Sequence, residues 1–184
     1  PQAGGAVYAP LSGTLRFENT TFSQHMGTLG AAIYYSVNST LVASGVTVTQ
    51  HITTFNVIMS YDVFTGSSGT FTDCVFSYNS AGTYGTVTIF ADGGHVFERC
   101  YFVGNACSGT LSAGAILVGY NDQVDIMDSL FEYNVNADTE GIPTGGAIGL
   151  VAGSSATIAS SVFRYNSAEC SDGPAVNFPV SSRL

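Results

Sequence analysis

The sequence predicts an all-β fold, a right-handed parallel β-helix of about six turns, each roughly 26–32 residues long. Three observations carry that expectation. A Phe-x-x-Asn mark recurs at Phe76…Asn79, Phe102…Asn105, Phe131…Asn134 and Phe163…Asn166, with the variants Phe22…His25 and Val48…His51 before it. A second mark, Ala followed by an aliphatic residue, stands at one constant interval before the first: Ala6 before Phe22, Ala32 before Val48, Ala115 before Phe131 and Ala147 before Phe163, with Thr86 standing in for Ala before Phe102. Between the marks lie short runs with period-2 alternation, broken by Gly, Asn, Asp and Ser, and no sustained helical period. A pattern returning at this interval means a repeat architecture. Strands that pair only with their equivalents one turn on make it a solenoid.

The turns can be taken in order. Residues 4–25 and 30–51 are the two tidiest. Residues 52–79 begin without Gly-Gly and carry extra residues around Asp62-Val63-Phe64, and residues 80–105 are regular again. Residues 106–113 read as a loop of small residues, and residues 135–144 as the largest excursion. Insertions in repeat proteins map to loops, which makes these the expected contact regions. Pro179 ends the pattern, because proline cannot continue a ladder.

Aligning the copies on Phe or Val produces columns. Five residues earlier stand Phe17, Ala43, Phe71, Phe97, Ile126 and Ile158; two earlier stand Thr20, Val46, Cys74, Cys100, Ser129 and Ser161. Both columns are expected to face inward, stacked at roughly 4.8 Å. Asn79, Asn105, Asn134 and Asn166 predict a ladder of side-chain amides, each bonding the next. His25 and His51 extend that column as fillers rather than metal ligands, since no Cys or carboxylate joins them. His95 aligns with Leu15, Leu41 and Val124 and is expected inside.

The marks Gly-Gly-Ala-[Ile/Val/Leu] and Phe-x-x-Asn resemble the repeats of chlamydial polymorphic outer-membrane proteins and related β-helical surface proteins. The first is complete at Gly4-Gly5-Ala6-Val7 and Gly145-Gly146-Ala147-Ile148, the second in the last four copies. The resemblance spans nearly the whole chain. It implies a right-handed parallel β-helix with an adhesin-like or structural role, extracellular or at a cell surface, and it brings no catalytic residues with it.

Residues 1–184 are expected to form a single domain. Neither end has an evident amphipathic cap, so the chain is read as a piece of a longer protein whose partners are other chains or domains at the solenoid ends. The chain has four Arg, no Lys and a net charge of −9. Without a basic patch it does not suit nucleic acid or an anionic membrane surface. No apolar run approaches the length that a membrane-spanning helix needs, about 18 residues.

Candidate sites are few. Cys74 and Cys100 share a column on adjacent turns and are a candidate disulfide, or simply two small inward residues. Cys107 and Cys170 fall in loops two turns apart. Asn19 and Asn38 head Asn-x-Ser/Thr sequons, no more than chance supplies at this composition, with Asn19 the poorer acceptor because Thr20 lies in an inward column. Tyr78, Tyr133 and Tyr165, two after Phe, are expected to face outward as a contact surface, and an exposed planar row would favour carbohydrate. A polysaccharide lyase or hydrolase needs a carboxylate pair of divergent pKa, or acidic Ca²⁺ ligands with a basic partner. Asp122, Asp125 and Asp128 read instead as a solvated acidic edge, with Asp122, Asp138 and Glu140 the residues that a Ca²⁺ site would use. No catalytic, cofactor-binding or metal-binding residue is assigned. Arg99 is expected to bridge Asp73 and Asp128, and Arg164 to pair with Glu132, leaving only Arg16 and Arg183 free for an anionic substrate. The function expected is a non-enzymatic structural or adhesive module presenting a rigid elongated surface. The alternative is a carbohydrate-binding module or β-helical lyase or hydrolase.

Overall fold

The structure is a computed structural model that describes residues 5–62, 66–109, 111–138, 145–169 and 176–177, with the side chains of 61, 62, 176 and 177 left aside. Every strand pairing in it is parallel, and each strand pairs with its equivalent one turn away. Four stacked sheets result, as the repeat demands of a parallel β-helix. The first, of seven strands, stacks Val7–Ala9, Ile33–Ser36, Asn56–Asp62, Gly85–Ala91, Ile116–Val118, Ile148–Leu150 and Val176–Asn177. The second, of six, runs from Gly13–Glu18 to Ser155–Ala159. The third, also of six, holds the Phe column from Thr21–Ser23 to Val162–Arg164, and a fourth of five short strands runs from Ile52–Thr53 to Ser167–Ala168.

Alternation fixes which side chains enter the core. Phe76, Phe102 and Phe131 are fully buried and stack face to face with centroids 4.4 and 4.7 Å apart, and Phe163 continues the row 4.6 Å beyond. Phe71 and Phe97, five before Phe, form a second parallel pair at 4.6 Å and meet the first row edge-on. Ala32, Ala115, Ala147 and the Ile residues that follow them supply the opposite wall.

Two bends have a left-handed backbone in all six turns, and a third, ten before Phe, has one at Asn38, Gly66, Asn121 and Gly153. Asn19, Gly45, Asp73, Arg99, Asp128 and Ser160, three before Phe, have φ between 47° and 62°. Gln24, Gln50, Tyr78, Gly104, Tyr133 and Tyr165, two after Phe, have φ between 53° and 64°. This region is costly for L-residues outside Gly, Asn and Asp, so the mixture of Gly, Asn and Asp in the first column has a backbone reason that the sequence alignment alone did not supply.

The Asn ladder forms as expected. The side-chain amide of Asn79 donates to Asn105 Oδ1, Asn105 to Asn134 and Asn134 to Asn166, each at 2.9 Å. Each amide also donates to the Phe-column carbonyl of the preceding turn, as Asn105 does to Phe76 O at 2.9 Å, and each Oδ1 accepts a backbone N–H. His51 caps the row through Nδ1 against Asn79 Oδ1 at 3.1 Å, with its ring 5.5 Å from that of His25.

His95 is inside, as its column requires. Its Nδ1–H donates to Gly93 O at 3.1 Å, which leaves Nε2 to accept the Tyr35 hydroxyl at 3.0 Å. Burial pushes its pKa down to about 4. Gly69 lies between them: a Cβ there would stand 2.8 Å from both the Tyr35 oxygen and the His95 ring.

One open alternative is resolved and three expectations are corrected. Cys74 and Cys100 are buried neighbours in register, but both are free thiols. Their sulfurs donate to carbonyls of the preceding turn, Ala43 O and Phe71 O, at 3.5 and 3.4 Å. Residues related by a translation along the stack have parallel Cα–Cβ vectors about 4.8 Å apart, whereas a disulfide needs converging Cβ atoms at about 3.8 Å. Cys107 is not in a loop but buried in the strand Ala106–Cys107, also as a thiol. Arg99 engages Asp73 through Nε at 2.7 Å and Nη2 at 3.1 Å, and its third contact is Glu98 rather than Asp128. The fork commits two nitrogens down the stack and leaves the last within reach of the sequence neighbour. Arg164 does meet Glu132 at 2.9 Å. Arg16, expected to be free, lies 3.4 Å from Glu18. Cys170, Glu140, Arg183, Pro179, residues 63–64 and most of the excursion at 135–144 lie outside the described residues.

Candidate functional site

A further bend of each turn, between the first and second sheets, has its own polar column nine residues before Phe: Gly13, Ser39, Ser67, Gly93, Asp122 and Ser154. Ser hydroxyls serve this bend locally: Ser39 Oγ donates to Ser36 O and Ser154 Oγ to Val151 O, and Ser39 also reaches Leu11 O of the preceding turn at 3.0 Å. Asp122 puts a carboxylate where the other turns have Ser or Gly. Its residue is 1% exposed, which corrects its reading as part of a solvated edge; Asp125 and Asp128 are exposed as expected. The strand Ile116–Val118 stops short of the level of Ala91, and Asp122 Oδ2 takes the Ala91 N–H at 3.0 Å in place of the missing ladder partner. Oδ1 is buried with no hydrogen-bond partner. Burial, with Asp92 nearby, pushes the Asp122 pKa up to about 7.

Asp122 lines a cavity of about 400 Å³ with Tyr84, Phe90, Ala91, Asp92, Leu111, Tyr120 and Asn121. Its residues come from two adjacent turns. Phe90 projects from the outer side of the strand Gly85–Ala91, opposite to the inward Val87 and Ile89. Tyr84, just before that strand, stacks on Phe55 at 5.8 Å and meets the Phe90 ring edge-on at 5.2 Å. Phe90 lies over Gly119, where a Cβ would stand 2.2 Å from its ring, so only glycine admits it. Tyr120 is 66% exposed and precedes Asn121, whose φ of 61° turns the chain and brings Asp122 under the rings. The site therefore combines three aromatic side chains, an exposed carboxylate and a buried one with an oxygen left without a hydrogen-bond partner. Among the described residues the lining includes no basic one.

The other expected sites fare differently. Tyr78, Tyr133 and Tyr165 do face outward, 65%, 53% and 68% exposed. Tyr133 and Tyr165 stack on each other at 5.0 Å and 11°, and Tyr78 lies over Gly104. Faces closed in this way leave edges and hydroxyls to a partner rather than a flat row for sugar rings. Asn19 and Asn38 are both exposed at left-handed bends, with Asn19 Oδ1 over Gly45 and the Thr20 hydroxyl donating to Glu18 O at 2.9 Å. Among the described residues no group of three or more His, Cys, Asp or Glu side chains could hold a metal ion. Along the chain Asp122 groups with Asp125 and Asp128, which hides the pocket; down its own column it is the only carboxylate among Ser and Gly, and that is the signal the sequence does hold. Comparison with protein-family models, curated proteins and solved structures finds no match for this chain.

Proposed function

We propose that the chain is a non-enzymatic adhesive module of an extracellular or cell-surface assembly, a stiff β-helical rod that recognises a carbohydrate at the pocket around Tyr84, Phe90, Tyr120 and Asp122. The observation that carries this reading is the pairing, in one cavity, of aromatic faces with Asp122, whose buried Oδ1 has no hydrogen-bond partner. Sugar rings present C–H faces that pack on aromatic side chains and hydroxyls that need acceptors. The saturated Asn ladder and in-register aromatic stacks support the rod, since a rigid scaffold is what positions a recognition loop. The resemblance to surface-protein repeats supports the location.

One observation favours a hydrolase as the second reading: a carboxyl protonated near neutrality beside a second carboxylate is the combination that acid–base cleavage of a glycoside requires. Binding to an array of oligosaccharides, followed by a reducing-end assay on any that bind, separates the two. The adhesive reading expects retention without cleavage, abolished by Tyr120→Ala and kept by Tyr165→Ala. Release of reducing ends would replace it with the hydrolase, and loss with Tyr165→Ala alone would move the site to the tyrosine column.

A further inference from the structure

We infer that the pocket selects a saccharide carrying a free ammonium group, a deacetylated amino sugar, over N-acetylated and anionic sugars. This rests on the carbohydrate reading above and adds the charge of the ligand to it.

Asp122 Oδ1 is buried and lacks a donor, while Oδ2 is already committed to Ala91 N–H. A buried acceptor without a partner is costly, so a ligand that delivers a donor there gains the most, and a charged N–H donor more than a neutral hydroxyl. The second term is the sign of the field. Among the described residues Asp92 and Asp122 are the charged groups lining the cavity, in a chain of net charge −9 with no lysine. Three of its four arginines are held by carboxylates: Arg16 by Glu18, Arg99 by Asp73 and Glu98, Arg164 by Glu132. Nothing in the lining offsets a uronate, which the two carboxylates repel, whereas an ammonium finds both of them. The third term is the wall. Tyr84, Phe90 and Tyr120 offer π faces that attract a cation as well as the C–H face of the ring bearing it. A neutral N-acetyl group keeps the stacking but forfeits the charge terms. The raised pKa of Asp122 fits this arrangement: an arriving cation favours the ionised carboxylate that burial alone disfavours.

The test is calorimetric titration of the full chain with a glucosamine tetramer, the N-acetylglucosamine tetramer and a galacturonate tetramer. The glucosamine oligomer should bind at least ~10-fold tighter than the acetylated one, a difference of about 1.4 kcal/mol, and the galacturonate should not bind. Asp122→Asn keeps an acceptor for Ala91 N–H, and with Asp92→Asn in the exposed turn as a second variant it should bring the two affinities together. Asp125→Asn, exposed and outside the pocket, should leave the preference unchanged. Equal binding of the acetylated and deacetylated oligomers overturns the ammonium preference and leaves the carbohydrate reading standing. An equal loss with Asp125→Asn also overturns it, because net charge alone would then account for the preference. Failure of all three sugars to bind overturns both.

Discussion

Two bends of the same coil handle polar side chains in opposite ways. At the bend after the Phe column, four asparagines repeat and every amide is used: Asn105 alone donates to Phe76 O and Asn134 Oδ1 and accepts from the side chain and backbone of Asn79. At the bend nine residues before Phe, small Ser and Gly residues repeat, and a single turn departs from them with Asp122, whose buried Oδ1 has no hydrogen-bond partner. The first bend is a structural device, cooperative because each member completes its neighbours. The second is the same kind of place with one irregular member, and there the cavity opens. In a repeat, what recurs holds the stack and what departs from it is where recognition is expected.

That contrast can be broken experimentally. The largest effect should come from Asn105→Ala, which strands the Asn79 amide and the Phe76 carbonyl in a fully buried row. Each buried group left unsatisfied costs about 1–3 kcal/mol, so a loss of roughly 3 kcal/mol or more is expected in denaturant unfolding. A loss below ~1 kcal/mol would remove the ladder from the list of what holds the rod together.

Asp122→Ser, which restores the column's usual residue, should act through pH. The Asp122 carboxyl rises from 3.8 to about 7 on folding, so its contribution to stability is complete below about 3.8 and is lost as pH rises through about 7. His95 runs the other way: its pKa falls from 6.5 to about 4, so its contribution is present above about 6.5 and lost as pH falls through about 4. Between those limits the two slopes oppose each other. The Ser variant should therefore gain stability relative to the parent above neutral pH and show a steeper loss on acidification, carried by His95. A pH–stability curve parallel to the parent's would mean that Asp122 titrates as an ordinary exposed carboxyl.

The smallest effect is expected from Arg99→Gln. Its fork on Asp73 is bidentate but solvent-exposed, and exposed pairs rarely contribute measurably. An unchanged midpoint of thermal unfolding is the expected result, and a clear drop would promote the arginine to a register-setting role beside the asparagines.

Much of the fold was legible because the side-chain period of a strand is 2 and the turns stack in register, so one alignment on Phe places every inward column. The Phe row, the Asn ladder, inward His95 and the Glu132–Arg164 pair all follow from that single alignment. Sequence identity within a column says nothing of which way a side chain leans along the stack. That is why Cys74 and Cys100 are neighbours yet not bonded, and why Arg99 chose Glu98 over Asp128.

By itself the sequence determined the coil, its period and its core, since those depend on hydrophobic alternation and on contacts between equivalent residues in successive turns. The tertiary structure decided the site. Tyr84 and Phe90 on one turn and Tyr120 and Asp122 on the next belong to different columns and become neighbours where the strand Gly85–Ala91 runs past the end of Ile116–Val118 and a carboxylate takes the place that Ser or Gly holds in the other turns. No periodicity encodes that meeting, because it arises where the period is interrupted.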